Sequence, residues 1–301
     1  MKIGIQRKFG LSQISLRTIT TVVCIFIASW STISQASSLL AGTAKVDITD
    51  YEGRPVNDPL YVKALVLRTD DTTLAIITVD VVAIGEYGRV GNDYLPAVRS
   101  RLQTELGIQP QSVLVNASHC HGTPRADVAD LTVQAVAEAL KVMVPVHIGV
   151  GSGSEDRIME NRRFTLKNGD QVDSRRAYSL PPDESFAFVG PVDPEIGVLR
   201  FDKADGTTLA VLYNFAVHPI EDVPSGGNTA DIIGFASKVI EENMSDGTLA
   251  FFIQGCAGDI NPTFYKDVAP PKNAEPLGNL LGLSALRALK KIVPEQDDRL
   301  T

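Results

Sequence analysis

Three of the four histidines in this chain, His119, His121 and His218, stand in polar clusters directly after apolar runs. Neutral imidazole is a common metal ligand and suits zinc. His119 and His218 are therefore read as metal ligands. His119 and His121 are two residues apart, and in extended backbone their side chains would face opposite sides. Both can bind one metal only if the loop curls, so His121 is read as an acid or base beside the metal. His147, within Val146–Val150, is read as a strand residue with no role in a site.

Further polar groups follow other apolar runs. Leu74–Val79 ends at Asp80, a candidate extra ligand or base. Leu249–Ile253 leads into Gly255-Cys256-Ala257-Gly258-Asp259-Ile260-Asn261-Pro262, where Asp259 and Asn261 are candidates for catalysis. Asn161-Arg162-Arg163 offers fixed positive charge that could clamp a carboxylate or an oxyanion, and Arg162 is the residue of interest. In open α/β sheets ligands bind at the carboxyl ends of strands. Four such ends carrying acids and imidazoles predict one site, provided that the ends meet.

Strands are expected at Tyr61–Leu67, Leu74–Val79, Val113–Val115, Gly197–Phe201, Leu209–Ala216 and Leu249–Ile253. Turns are expected at Asp70-Asp71-Thr72-Thr73 and Asp205-Gly206, and a hairpin tip at Lys167-Asn168-Gly169-Asp170. Helices are expected over Asn92–Leu106, Ala126–Met143, Asp231–Asn243 and Leu277–Ile292. The second of these carries the stripe Val128, Leu131, Val136, Leu140 and Met143, with Pro145 as its stop. Strands alternating with helices predict an α/β fold: a layered mixed β-sheet flanked by helices. Thr-Thr-Leu-Ala occurs at 72–75 and again at 207–210. It is read as the common look of a turn before a buried strand.

The chain has 301 residues, 44% hydrophobic and 21% charged, which fits a globular protein. Residues 1–36 hold Lys2, Arg7, Lys8 and Arg17 and no acid, then an apolar run from Val22 to Trp30, then Ser34-Gln35-Ala36. That is the layout of a secretory signal peptide cleaved after Ala36. The run is about half the roughly 20 apolar residues that a span needs. The expectation is a secreted or periplasmic protein without a transmembrane anchor, with residues 37–301 as one domain. That part holds 24 basic against 36 acidic residues, a net charge of −12. Such a surface repels nucleic acid. Nucleotide binding is disfavoured as well, because no Walker A and no Gly-x-Gly-x-x-Gly turn follows a strand. Cys120 and Cys256 remain after export, and a bridge or a thiolate near the site is a further reading.

The motifs, taken in order, resemble the neutral/alkaline non-lysosomal ceramidase family, specifically its N-terminal catalytic domain. They are Ala41-Gly42-Thr43-Ala44-Lys45-Val46-Asp47-Ile48-Thr49, Leu60-Tyr61-Val62-Lys63-Ala64-Leu65, Asn116-Ala117-Ser118-His119-Cys120-His121, Asn161-Arg162, Asn214-Phe215-Ala216-Val217-His218-Pro219 and Gly258-Asp259-Ile260-Asn261-Pro262. The resemblance implies an amidase that cleaves the N-acyl bond of ceramide with one zinc ion. It implies zinc on His119 and His218, His121 near the substrate, and Arg162 in the site. Two departures stand out. Asn261 occupies the position of the family's catalytic serine, and an amide cannot replace a hydroxyl as nucleophile. The family's other zinc ligands, a Glu and a Tyr, fall beyond the residues matched. The expected function is hydrolysis of a small-molecule or lipid amide, or a related ester, by metal-activated water. The alternative is a non-catalytic relative that binds metal or ligand.

Overall fold

The computed structural model describes residues 39–69, 72–174, 179–268 and 272–295. The expected signal peptide and the Asp70-Asp71 part of the first turn lie outside the described residues. Among the described residues, no helix is long and apolar enough to cross a membrane.

The chain runs β1 (Leu40–Asp47), β2 (Tyr61–Arg68), β3 (Thr73–Val79), α1 (Tyr94–Leu106), β4 (Val113–Ala117) and α2 (Val128–Lys141). It continues with β5 (Val144–Ser154), the short strands β6 (Met159–Asn161), β7 (Arg163–Leu166), β8 (Gln171–Asp173) and β9 (Phe186–Val189), then β10 (Glu195–Lys203) and β11 (Thr208–Phe215). Last come α3 (Asp231–Asn243), β12 (Leu249–Gln254), β13 (Ile260–Pro262) and α4 (Glu275–Leu289).

Eight strands form one mixed sheet in the order β12-β11-β10-β5-β1-β2-β3-β4. β3 pairs β4 in parallel and β11 pairs β12 in parallel; the other neighbours are antiparallel. Among the described residues, strand pairing joins the two halves where Leu40 and Ala41 meet Pro145 and Val144. At that narrow join the sheet doubles over. One core lies between the halves, built from Leu65 and Leu67 on one side and Phe201, Leu212 and Phe251 on the other. Alternate residues of the same strands face outward. Val62, Ala64 and Val66 of β2 pack with α1 and α2, through Val98, Leu102, Val133 and Val136. Val211, Tyr213 and Phe252 pack with α3 and α4, through Ile233, Ala236, Leu281 and Ala285. The result is four layers: helices, sheet, sheet, helices. This explains why Tyr61-Val62-Lys63-Ala64-Leu65-Val66-Leu67 is nearly unbroken apolar sequence. A strand covered on both faces has no solvent side to alternate toward.

The layered mixed sheet matches the expectation from the sequence. Differences are local. The buried stripe of α2 is Val128, Thr132, Val133, Ala135, Val136 and Ala139, while Leu131, Leu140 and Met143 are only partly buried. Small residues face the sheet because α2 crosses β1 closely: a Cβ on Gly42 would lie 2.1 Å from the Ala139 carbonyl oxygen. Pro145 does not stop α2, which ends at Lys141; it sits in β5 at the join with β1. The Thr-Thr-Leu-Ala echo is more than similar turns. β1-β2-β3-α1-β4-α2 and β5-β10-β11-α3-β12-α4 have one topology, and the echo leads into β3 and β11, equivalent strands of the two units.

Candidate metal centre

Folding the sheet at the β1–β5 join brings its two edge strands, β4 and β12, side by side. Asn116 of β4 reaches across. Its Nδ2 donates to the Phe252 carbonyl at 2.9 Å, and its Oδ1 accepts the Gln254 N–H at 3.0 Å. One side-chain amide thus stands in for the peptide of a neighbouring strand. Gln254 Nε2 in turn donates to the Val217 carbonyl at 3.2 Å, beside His218. The strand that leads to His119 is therefore tied to the loop that carries His218.

Gly255 makes the same region compact. Its N–H donates to the Phe215 carbonyl at 2.9 Å, and a Cβ there would lie 2.9 Å from that oxygen and 3.0 Å from Ala216 Cα. His218 N–H donates to the Ile260 carbonyl at 2.9 Å. That bond fixes the base of the imidazole against β13.

His119 has φ of 65°. A non-glycine residue in the left-handed region costs on the order of 1–2 kcal/mol, and such strain collects at functional sites. This turn has a direct consequence. Extended backbone would send His119 and His121 to opposite sides, but the left-handed residue curls the loop and both rings face His218. His119 Nε2 lies 3.1 Å and His121 Nε2 3.3 Å from His218 Nε2. The ring centroids are 4.5 to 5.5 Å apart. All three ligand nitrogens lie within 4.8 Å of one another.

The donor set fits a metal. His119 Nδ1 is 2.7 Å from the Val82 carbonyl oxygen. A carbonyl can only accept, so Nδ1 carries the proton and the Nε2 lone pair is free to coordinate. Burial, then the neighbouring His119, His121 and Arg162, push His218 down to about 3. Burial, then His119, lowers His121 as well. Both shifts favour the neutral ring, the form in which imidazole binds a metal. Three nitrogens with an open side match the usual count of protein ligands in a catalytic zinc site.

The other predicted residues divide. Arg162 lies close enough to depress His218, and its Nε is buried with no hydrogen-bond partner among the described residues. Its backbone N–H donates to the Asp259 carbonyl at 2.8 Å. The Asp259 carboxylate accepts from Asn161 Nδ2 at 3.2 Å and is not in the metal-type group. Asn261 is buried in β13; its Nδ2 is 3.5 Å from the Ser174 carbonyl oxygen, and its Oδ1 has no partner among the described residues. Asp80 faces elsewhere. Its Oδ2 accepts the Tyr61 N–H at 2.9 Å, and burial raises its pKa. It lines a separate cavity with Lys63, Ser118 and Glu241, which the imidazoles do not line. Cys120 is buried and Cys256 exposed, and both are free thiols, so the bridge across the site is absent. His147 lies in β5, outside the cluster.

A cavity of about 510 Å³ covers His119 and His121. Arg54, Tyr87 and Arg89 line it, together with Val82, Ala83 and Thr123. Sequence reasoning passed over these residues, because they come from three irregular loops with no periodicity to mark them. It also left Asn116 without a role, although the residue sits in the Asn116-Ala117-Ser118-His119 motif.

No known family profile and no curated protein sequence matches the chain. Solved structures do. The structure of a ceramidase complexed with C2 superposes with a TM-score of 0.66 at 19% identity, over 85% of this chain and 44% of that one. Neutral ceramidase from Pseudomonas aeruginosa gives a TM-score of 0.64 at 19% identity, over 85% of this chain and 45% of that one. The likeness shows a shared fold, the one that the sequence motifs pointed to. The chain spans less than half the length of either structure.

Proposed function

We propose that this chain, which carries the fold of the neutral ceramidase structures, is an exported zinc-dependent hydrolase of N-acyl amides or related esters. The observation that carries the reading is the convergence of His119, His121 and His218 on one point beyond the ends of β4 and β11. Resemblance alone left His121 beside the substrate; its distance to His218 favours it as third ligand. When bound, zinc supplies Lewis-acid chemistry: it polarises a carbonyl and acidifies water. The chain's residues supply the rest. The Val82 carbonyl holds His119 in the tautomer that coordinates. Arg162, with a buried Nε free of protein partners among the described residues, is the donor for negative charge developing on the carbonyl oxygen. Asp259 and Asn161 position the Arg162 backbone. Asp80 has no part in the site on this reading, since its carboxylate is turned to Tyr61. The layout of residues 1–36 supports export.

The test is metal analysis of the purified protein, with His119→Ala and His218→Ala together as control. The expected result is about one zinc per chain, lost in the double variant, and chelator-sensitive hydrolysis across a panel of N-acyl amides and esters. Full zinc retention by the double variant would refute the site. A second reading rests on Asn261. This buried amide stands where the resembling family has its serine, which favours a relative that binds metal without turnover. Zinc binding with no hydrolysis anywhere in the panel would select it.

A further inference from the structure

The cavity over the imidazoles has an unusual charge. Its charged lining residues are Arg54 and Arg89; among the described residues, no carboxylate lines it. The part of the chain beyond residue 36 carries a net −12, so a purely cationic lining runs against the average of the surface. Neither arginine is consumed by a strong ion pair. Arg89 Nη1 is 3.4 Å from Asp50 Oδ2, with its side chain 60% exposed. Asp50 Oδ1 already accepts the N–H groups of Glu52 and Gly53. Arg54 makes no salt bridge among the described residues. Apolar surface from Val82, Ala83 and the 72%-exposed Tyr87 completes the cavity. A guanidinium recognises a planar oxyanion with two parallel N–H donors.

We propose that this cavity selects amides that bear a carboxylate a few bonds from the scissile bond, as in N-acyl amino acids. The proposal rests on the hydrolase reading of the same site. The apolar lining takes carbon chain, and Arg54 and Arg89 take the carboxylate, which leaves the amide carbonyl over the imidazoles. The reaction is balanced by water alone. Water oxygen adds to the acyl carbon, the C–N bond breaks, and the nitrogen leaves with a proton. The products are an acyl carboxylate and a free amino acid.

A matched pair of substrates tests this: N-dodecanoylglycine and N-dodecanoylethanolamine, which share acyl chain and amide and differ in carboxylate against hydroxyl. On the zinc-loaded protein the expected kcat/KM ratio favours the glycine conjugate about tenfold, the scale of one charge-assisted hydrogen bond at a half-exposed site. In Arg54→Gln/Arg89→Gln that ratio collapses toward one through a higher KM for the glycine conjugate, while zinc content stays the same. Equal kcat/KM in the starting protein, or equal losses on both substrates in the variant, would overturn the proposal. Calorimetric binding of the two compounds separates this from the hydrolase reading. Arginine-dependent binding of N-dodecanoylglycine without turnover keeps the anion site and removes the hydrolase. Equal binding of the pair removes the anion site whether or not turnover occurs.

Discussion

Replacing Asn116 with alanine should loosen the fold and the metal site together. The side chain makes two hydrogen bonds, to the Phe252 carbonyl and from the Gln254 N–H. Each is worth about 1 kcal/mol net, and a buried partner left unpaired costs about 1–3 kcal/mol. Phe252 is buried, whereas Gln254 is partly exposed and regains water. The expected loss is therefore about 2–3 kcal/mol, measurable as a lower urea midpoint at unchanged m-value in the presence of a chelator. The same change frees the end of β4 from the Gln254–Val217 contact that leads to His218. Zinc affinity should drop about 10–100-fold, the scale seen when groups that orient metal ligands are removed. Competition with a chromophoric chelator measures it. Asn116→Asp should not rescue, because it would turn a carboxylate oxygen toward the Phe252 carbonyl. A stability loss under about 0.5 kcal/mol with unaltered zinc affinity would refute the idea that this amide joins the sheet edges.

Two further outcomes follow from buried groups. Burial raises Asp58 and Glu221 to about 7 and Asp231 to about 6. Between about pH 4 and pH 7 the folded chain keeps protons that the unfolded chain has released, so stability falls as pH rises through that window. Urea unfolding should give a lower unfolding free energy at pH 8 than at pH 5.5, by on the order of a few kcal/mol. Asp58→Asn should narrow that gap, since an amide can still accept from the Ala230 N–H; a gap unmoved by the variant counts against Asp58 as a source. Cys256 is exposed, whereas burial pushes the Cys120 thiol well up. A thiol reagent should therefore label one of these two residues in the native protein and both in urea, with peptide mapping to locate the label; rapid native labelling of Cys120 would contradict its burial.

What the sequence determined on its own is local in origin. Apolar runs such as Leu74–Val79 and Leu249–Ile253 were legible as strands because burial on two faces requires continuous hydrophobicity. The four helices among the described residues were legible as helical stretches, α2 by a 3.6-residue stripe, and α3 was bounded by its sequence to the residue. His119 and His218 stood out by type and by their place after a strand. Tertiary structure alone decided which strand ends meet. Strand order and the fold at Leu40–Ala41 are set by long-range pairing, which no short window contains. That pairing brought β4 to β12, and with it His119 to His218, while it turned Asp80 into a different cavity. The facing of His121 depended on one dihedral, the positive φ of His119, because a two-residue spacing fixes side-chain direction only while the backbone stays extended. Arg54 and Arg89 came to the site from two irregular loops; their charge was visible in the sequence, but their common address was a product of the packed fold.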